Sequence, residues 1–246
     1  MRSRIVLPVV GVVGFVLLWQ FVGSIWPHTT SQPTRVADEL VDAFRDDDLL
    51  RLMLNTTSVL LIGFVVSVVV GVLVGLAMGE FRWVRVMLEP YLTALYATPR
   101  VAYIPLLVIW FGIGRTFLYA AVIAAAAVII VFPTISGVHE ANRSYRQVAD
   151  SLCINKLQYF ARVLLPASTA FVLTGARLGV QRALTTVIVA EFLVGYPGLG
   201  DAMKTARVTT DVDRVLAIAV VCLVVGAAIT GVLTLIDRRA FAWRRR

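Results

Sequence analysis

The sequence predicts an all-α integral membrane protein with about six transmembrane helices, and three observations carry that reading. First, 59% of the 246 residues are hydrophobic and only 15% are charged, with a mean hydropathy of +0.85. A water-soluble domain is about 45–50% apolar and about 25% charged, and a surface so short of charge is not kept in solution. Second, the apolar residues fall into six continuous runs, 5–26, 57–78, 92–111, 117–138, 171–193 and 215–236. Each is close to the roughly 20 residues that cross a hydrocarbon core as a helix. Continuous runs, rather than alternation, argue against a barrel. Third, the basic residues gather at the ends of alternate runs. With the N-terminus inside, the cytoplasmic segments hold Arg2, Arg4, Arg82, Arg85, Arg143, Arg146, Lys156, Arg162 and the Arg238–Arg246 group, while the outer loops hold fewer. This bias places both termini in the cytoplasm of a multi-pass protein.

The formal charge of +8 would suggest nucleic acid in a soluble chain. Here the cations sit where membrane orientation needs them, so no nucleic-acid partner is expected. Cys153 and Cys222 lie in different segments, and no disulfide framework is implied. The first run is too long for a signal-peptide core and no Ala-x-Ala site comes after it, so it reads as a retained span. The chain divides into an N-terminal helix with an outer amphipathic segment (1–54), a core (55–240) with a cytoplasmic loop at 138–170, and a basic tail (241–246).

After the first run, Val36, Leu40 and Phe44 recur at helical spacing among acids, which predicts a short amphipathic helix at the outer face. The acidic run at 46–48 reads as solvated surface. In the second run Gly71, Gly75 and Gly79 share one helix face and admit a close neighbour, and Gly175 and Gly179 repeat the device in the fifth. The third run carries Pro99 and Pro105, each of which removes a backbone donor. Such breaks are tolerated in a bilayer where protein or water satisfies the freed carbonyls, so this run should face the interior or a path. Arg100 lies between the prolines, either snorkelling to the interface or lining that path. The fifth run holds Arg177, Arg182 and Glu191. Charges inside a span cost about 2.5–3.5 kcal/mol each on insertion scales, so they should face the interior, water or a partner. Arg182 and Glu191 stand about 13 Å apart along a helix, so each needs a different partner. The outer segment GYPGLG, residues 195–200, reads as a turn, and the residues leading from it to the sixth run read as a lid or a surface turn.

The sequence lacks a phosphate-binding loop, a His-Glu-x-x-His metal site and a Gly-x-Ser-x-Gly elbow. No cofactor, metal or catalytic cluster is expected, and the chain should not be an enzyme.

Between the fourth and fifth runs lies a polar island, residues 147–166, QVADSLCINKLQYFARVLLP. It resembles the cytoplasmic loop of binding-protein-dependent ABC transporter permeases of the type I importer class. That family pattern is Glu-Ala-Ala, three residues, Gly, nine residues, Ile, one residue, Leu-Pro. Here Gln147, Val148 and Ala149 stand at its start, Cys153 at the glycine, Val163 at the isoleucine and Leu165-Pro166 at the end, with the spacing kept. Gln147, Val148 and Cys153 depart from the pattern, and cysteine resists the left-handed turn that glycine would permit. Thr98-Pro99, Pro105-Leu106, the 110–114 segment WFGIG, Gly175-x-Arg177, Val189-Ala190-Glu191 and Gly198-Leu199-Gly200 resemble the nitrate, sulfonate and taurine permease branch.

The resemblance implies a type I ABC importer permease fold in the plasma (inner) membrane. It implies a path-forming subunit that couples to separate ATP-binding ATPase subunits, receives solute from an extracytoplasmic binding protein, and pairs with a second permease, with homodimer and heterodimer both open. The solute expected is a small organic or inorganic anion, or a related small solute. The coupling loop would comprise Gln147, Val148, Ala149, Asp150, Leu152, Cys153, Val163, Leu165 and Pro166. Val148, Leu152 and Leu157 would supply apolar contact, and Arg143, Arg146 and Lys156 charge. Pro99, Arg100, Pro105, Arg177, Arg182 and Glu191 are the candidates to face the path or the interior. The competing readings are a stand-alone secondary transporter or channel, which needs intramembrane acids and has only Glu191, and a membrane enzyme.

Overall fold

The computed structural model describes residues 3–26, 30–45 and 48–240. The tail at 241–246, His28, and the side chains of the 46–48 acids lie outside the described residues. Helices account for nearly all of the described chain, in the order α1 Ser3–Ile25, α2 Pro33–Arg45, α3 Asp48–Glu80, α4 Arg82–Ala97, α5 Arg100–Phe111, α6 Arg115–Ser151, α7 Lys156–Tyr159, a π-helical turn Phe160–Leu164, α8 Leu165–Val194, α9 Leu199–Val208 and α10 Val212–Ala240. Among the described residues four helical stretches are long and apolar enough to cross a membrane: Leu49–Glu80, Arg115–Ser151, Lys156–Val194 and Val212–Leu235. The first run forms α1, whose stretch Val10–Ile25 is apolar among the residues with described side chains. By contact the chain forms two compact units, one of Met1–Thr56 with Glu191–Val224 and one of Thr57–Ala190 with Val225–Arg246, whose boundaries fall within helices.

The third predicted span is not a single helix. α4 and α5 meet at an angle of 108°. The cause is local. Pro99 forces the residue before it out of the helical region, and Thr98 is extended (φ −71°, ψ 128°). Pro99 itself is extended (ψ 128°), and α5 starts after it. The Thr98 hydroxyl and amide both donate back to the Ala94 carbonyl, at 2.8 and 3.0 Å, closing the end of α4. Pro105, by contrast, sits inside α5 without ending it.

The glycine reading holds in detail within the second unit. A Cβ at Gly71 would come to 2.8 Å from the Ala127 carbonyl oxygen, at Gly75 to 2.6 Å from Thr134 Cβ, and at Gly79 to 2.6 Å from Val138 Cβ. The α3 main chain therefore lies directly against Ala127, Thr134 and Val138 of α6 along about two turns. Gly175 and Gly179 of α8 face Ile130 of the same helix α6.

α6 has 37 residues, about 55 Å at 1.5 Å per residue, so it overruns the roughly 30 Å hydrocarbon core. The polar island is thus the overhanging end of α6 and a tight return through α7, not a separate long helix between two spans. In the first unit, the amphipathic helix α2 forms as predicted, with one correction. Val36 and Ala43 are buried, whereas Phe44 is 43% exposed. The apolar stripe runs along positions 36, 40 and 43, the i, i+4, i+7 spacing that keeps to one face.

Candidate functional site

Two sites take shape in the second unit: a cavity among α4, α5, α6 and α8, and the elbow that ends α6. The cavity measures about 650 Å³ and is walled by Thr93 and Tyr96 of α4, Arg100 of α5, Ile129, Phe132 and Pro133 of α6, and Gln181, Arg182 and Thr185 of α8. A neighbouring pocket of about 360 Å³ shares Tyr96, Arg100, Ile129, Arg182 and Thr185 and adds Tyr103 and Thr186. The helix break positions Arg100. As the first residue of α5 it projects where α4 has just ended, and one guanidinium nitrogen lies 3.3 Å from Thr186 Oγ1 and 3.5 Å from the Arg182 carbonyl oxygen. Its charge and that of Arg182 repel one another, and Tyr103 lies within the field of both. No carboxylate among the described residues forms an ion pair with either guanidinium. Pro133 cannot donate to the Ile129 carbonyl one turn back, which frees an acceptor on a residue of the same wall.

The six interior candidates therefore separate. Arg100 and Arg182 share the wall. Pro99 makes the bend and borders the smaller pocket. Pro105 is exposed on α5, and Arg177 is half-buried on α8 outside both walls. Glu191 belongs to the first unit and is fully buried. Thr56 Oγ1 lies 2.9 Å from both of its oxygens, and the Gly200 amide donates to Oε2 at 3.0 Å. Thr56 Oγ1 in turn accepts from the Leu199 amide at 2.9 Å. The carboxyl group thus caps the N-terminus of α9, where a negative group complements the helix dipole.

At the elbow, α6 ends in a Schellman motif. The Ile154 amide donates to the Ala149 carbonyl and the Cys153 amide to the Asp150 carbonyl, both at 3.1 Å. Cys153 is the left-handed residue, with φ +51°. At the position of the pattern's glycine this chain is left-handed, and cysteine adopts that geometry here. Asn155 then caps α7, accepting from the Gln158 amide at 2.8 Å. The π turn comes next, with the Leu165 amide bonded five residues back to Phe160. Pro166 supplies the reason: its ring crowds the carbonyl of Arg162 and it has no donor, and a widened turn relieves both.

Of the loop candidates, Gln147, Asp150, Cys153 and Pro166 are exposed and Leu165 partly so, while Val148, Leu152 and Leu157 stand 59%, 67% and 77% exposed. Ala149 is buried and Val163 packs against the same cluster as Leu164 and Tyr159, so these two serve packing. Arg146 is not a free charge as expected. It donates to Glu80 Oε1 at 2.8 Å, and its guanidinium carbon lies 5.5 Å from the centre of the Tyr159 ring. Asn142 donates to Glu80 Oε2 at 3.2 Å and accepts from the Tyr159 hydroxyl at 2.8 Å. Glu80, Asn142, Tyr159 and Thr56 escaped the reading of the sequence. For Glu80 one signal was there: an acid at the last position of an apolar helix opposes the dipole and invites the question of what holds it. Thr56 carried none.

The profile of the family described as "Binding-protein-dependent transport system inner membrane component" matches residues 67–242. The chain is similar to a probable ABC transporter permease protein of Brucella abortus (strain 2308), 29% identical over 96% of this chain and 93% of that protein. It is similar to the taurine transport system permease protein of Escherichia coli (strain K12), 29% identical over 89% and 82% of the two chains. It is also similar to the nitrate import permease protein of Synechocystis sp. (strain ATCC 27184 / PCC 6803 / Kazusa), 23% identical over 89% and 84%. Among solved structures, the crystal structure of an amino acid ABC transporter with histidines shares the fold, with a TM-score of 0.66 at 15% identity over 81% of this chain and 97% of that one.

Proposed function

Because the chain belongs to the family of binding-protein-dependent transport system inner membrane components, it is a transmembrane permease subunit of an ABC importer, and we propose that it passes a small oxyanion, of the sulfonate, taurine or nitrate type, across the pair Arg100 and Arg182. One observation carries the substrate class: two guanidiniums on one cavity wall without a carboxylate partner among the described residues. An anion seated between them relieves their mutual repulsion and takes charge-assisted hydrogen bonds, roughly twice as strong as neutral ones. Guanidinium also matches the planar or tetrahedral oxygens of such solutes. The hydroxyls of Thr93, Tyr96 and Thr185 on the same wall suit the remaining oxygens. The names of the taurine and nitrate relatives point the same way.

As a multi-pass transport component, the chain works with ATPase subunits and a solute-binding protein. In our reading ATP is bound and split on those separate ATPase subunits, the exposed Val148, Leu152 and Leu157 meet them, and two identical permeases enclose the path with their termini in the cytoplasm. ATP-driven closure then switches the cavity from outward to inward access.

The test is uptake into proteoliposomes holding permease, ATPase subunits and binding protein, offered labelled taurine, nitrate and an uncharged heterocycle. ATP-dependent uptake of an oxyanion is expected. Concentrative uptake by the permease alone would make it a secondary transporter, and preference for the uncharged solute would overturn the role given to the arginines.

A further inference from the structure

We propose that Glu80 is a positioning residue for energy coupling: it ties the elbow turn at Tyr159 to α3 and α6, which the glycine seam already joins, so that force applied at the elbow turns that pair. This rests on the importer reading above. α7 is the first turn of the helical stretch that continues through the π turn into α8, and the widened π turn is the weak point that separates it from the rest of that stretch. Its placement depends on what Tyr159 and the packed Leu164 hold. The Tyr159 hydroxyl goes to Asn142, the Asn142 amide to one Glu80 oxygen, the Arg146 guanidinium to the other, and that guanidinium returns over the Tyr159 ring. Four side chains from α3, α6 and α7 thus close a ring. Glu80 is its member from α3, and it accepts from both α6 donors. Its position argues against a role in helix stability, because a carboxylate at a helix C-terminus is disfavoured by the dipole. A cleft of about 330 Å³ beside the ring, lined by Phe81, Ile154, Leu157 and Phe160, leaves the elbow room to swing once the ring opens.

The experiment uses the full complex of permease, ATPase subunits and binding protein in proteoliposomes, with uptake and ATP hydrolysis measured on the same vesicles. Glu80→Ala is expected to keep the ATPase subunits bound on purification and to hydrolyse ATP within about twofold of wild type. Solute moved per ATP should fall at least fivefold. A purely structural contact would lower uptake and hydrolysis together and leave their ratio unchanged, and that result overturns the proposal. So does loss of the ATPase subunits from Glu80→Ala, which would make Glu80 a docking determinant. If Glu80→Ala is not recovered folded, Glu80→Gln, which keeps the size and an acceptor oxygen, replaces it: a lowered ratio supports the proposal and an unchanged one overturns it. Failure of the wild-type complex to take up solute with ATP would instead remove the importer reading, and this inference with it.

Discussion

Replacing Gly198 by alanine tests the buried carboxyl clamp directly. The backbone at Gly198 is extended (φ −178°, ψ −174°), a conformation open to any residue, so the demand for glycine is one of space alone. A Cβ there would land on the Glu191 carboxyl group. That group cannot retreat freely: it is fully buried and held by Thr56 and the Gly200 amide. Overpacking of a filled site costs about 1–3 kcal/mol. Should the carboxyl shift instead, a buried group is left without its hydrogen-bond partner, at a cost of about 1–3 kcal/mol. Either route gives roughly 1–3 kcal/mol. On the scaling of water-soluble domains of this size, about 2–4 °C per kcal/mol, the melting temperature in detergent falls by about 2–12 °C. Tryptophan fluorescence on heating reads this. Gly231→Ala is the control, because nothing lies within 4 Å of a Cβ there. In a Glu191→Ala background, Gly198→Ala should cost little more, since contacting residues are not additive. A Gly198→Ala protein that melts with the wild type, or the same penalty in both backgrounds, would refute the steric argument.

Four further outcomes are expected. Cys153→Gly should stabilise the protein by about 1 kcal/mol, read as a higher melting temperature, because it removes the left-handed penalty at φ +51°; Cys153→Val should lower it. Thr210→Gly should act likewise, since a β-branched residue holds φ +57° in the second Schellman turn, before α10. Glu39, on α2, has its carboxyl held above the ordinary carboxylate range, first by partial burial and then by Asp211, with Arg214 opposing. The folded state therefore grips this proton more tightly than the unfolded one. The group's contribution is fully present below its unfolded pKa near 4.5 and is lost as pH rises through the raised folded value. Melting temperatures from pH 4 to 8 should show wild type falling relative to Glu39→Gln over that window. Arg182→Gln should raise the solute concentration for half-maximal uptake about 10–100-fold, the factor for losing one charged hydrogen bond, while leaving ATPase subunits bound.

How far the sequence could be read depends on the range of the physics involved. Apolar runs and glycine spacing are properties of one helix or of its gross burial, and among the described residues the structure keeps the glycine seam and turns four of the six runs into long apolar helices. The interruption at Thr98-Pro99 was visible as a proline. That Pro105 would stay inside a helix was not, because both prolines remove the same donor and only the surroundings decide which carbonyl is otherwise satisfied. The elbow's spacing was legible, and the left-handed turn at Cys153 was readable as a demand on the backbone. Arg146 looked like a surface charge until Glu80, 66 positions away, was brought beside it. Glu191 found Thr56 across 135 positions. Pairings at such separations leave no period in a single sequence. Only the fold creates them.

The glycine seam constrains how this protein can move. With Gly71, Gly75 and Gly79 seated on Ala127, Thr134 and Val138 at less than 3 Å from an added Cβ, each helix is keyed to the other like teeth on a rack. Sliding the helices would put a larger side chain of α3 where a glycine now sits against Ala127, Thr134 or Val138. In the importer reading, α3 and α6 pivot as one stiff plank, and bending falls to other places, of which the proline bend before Arg100 is the first to test.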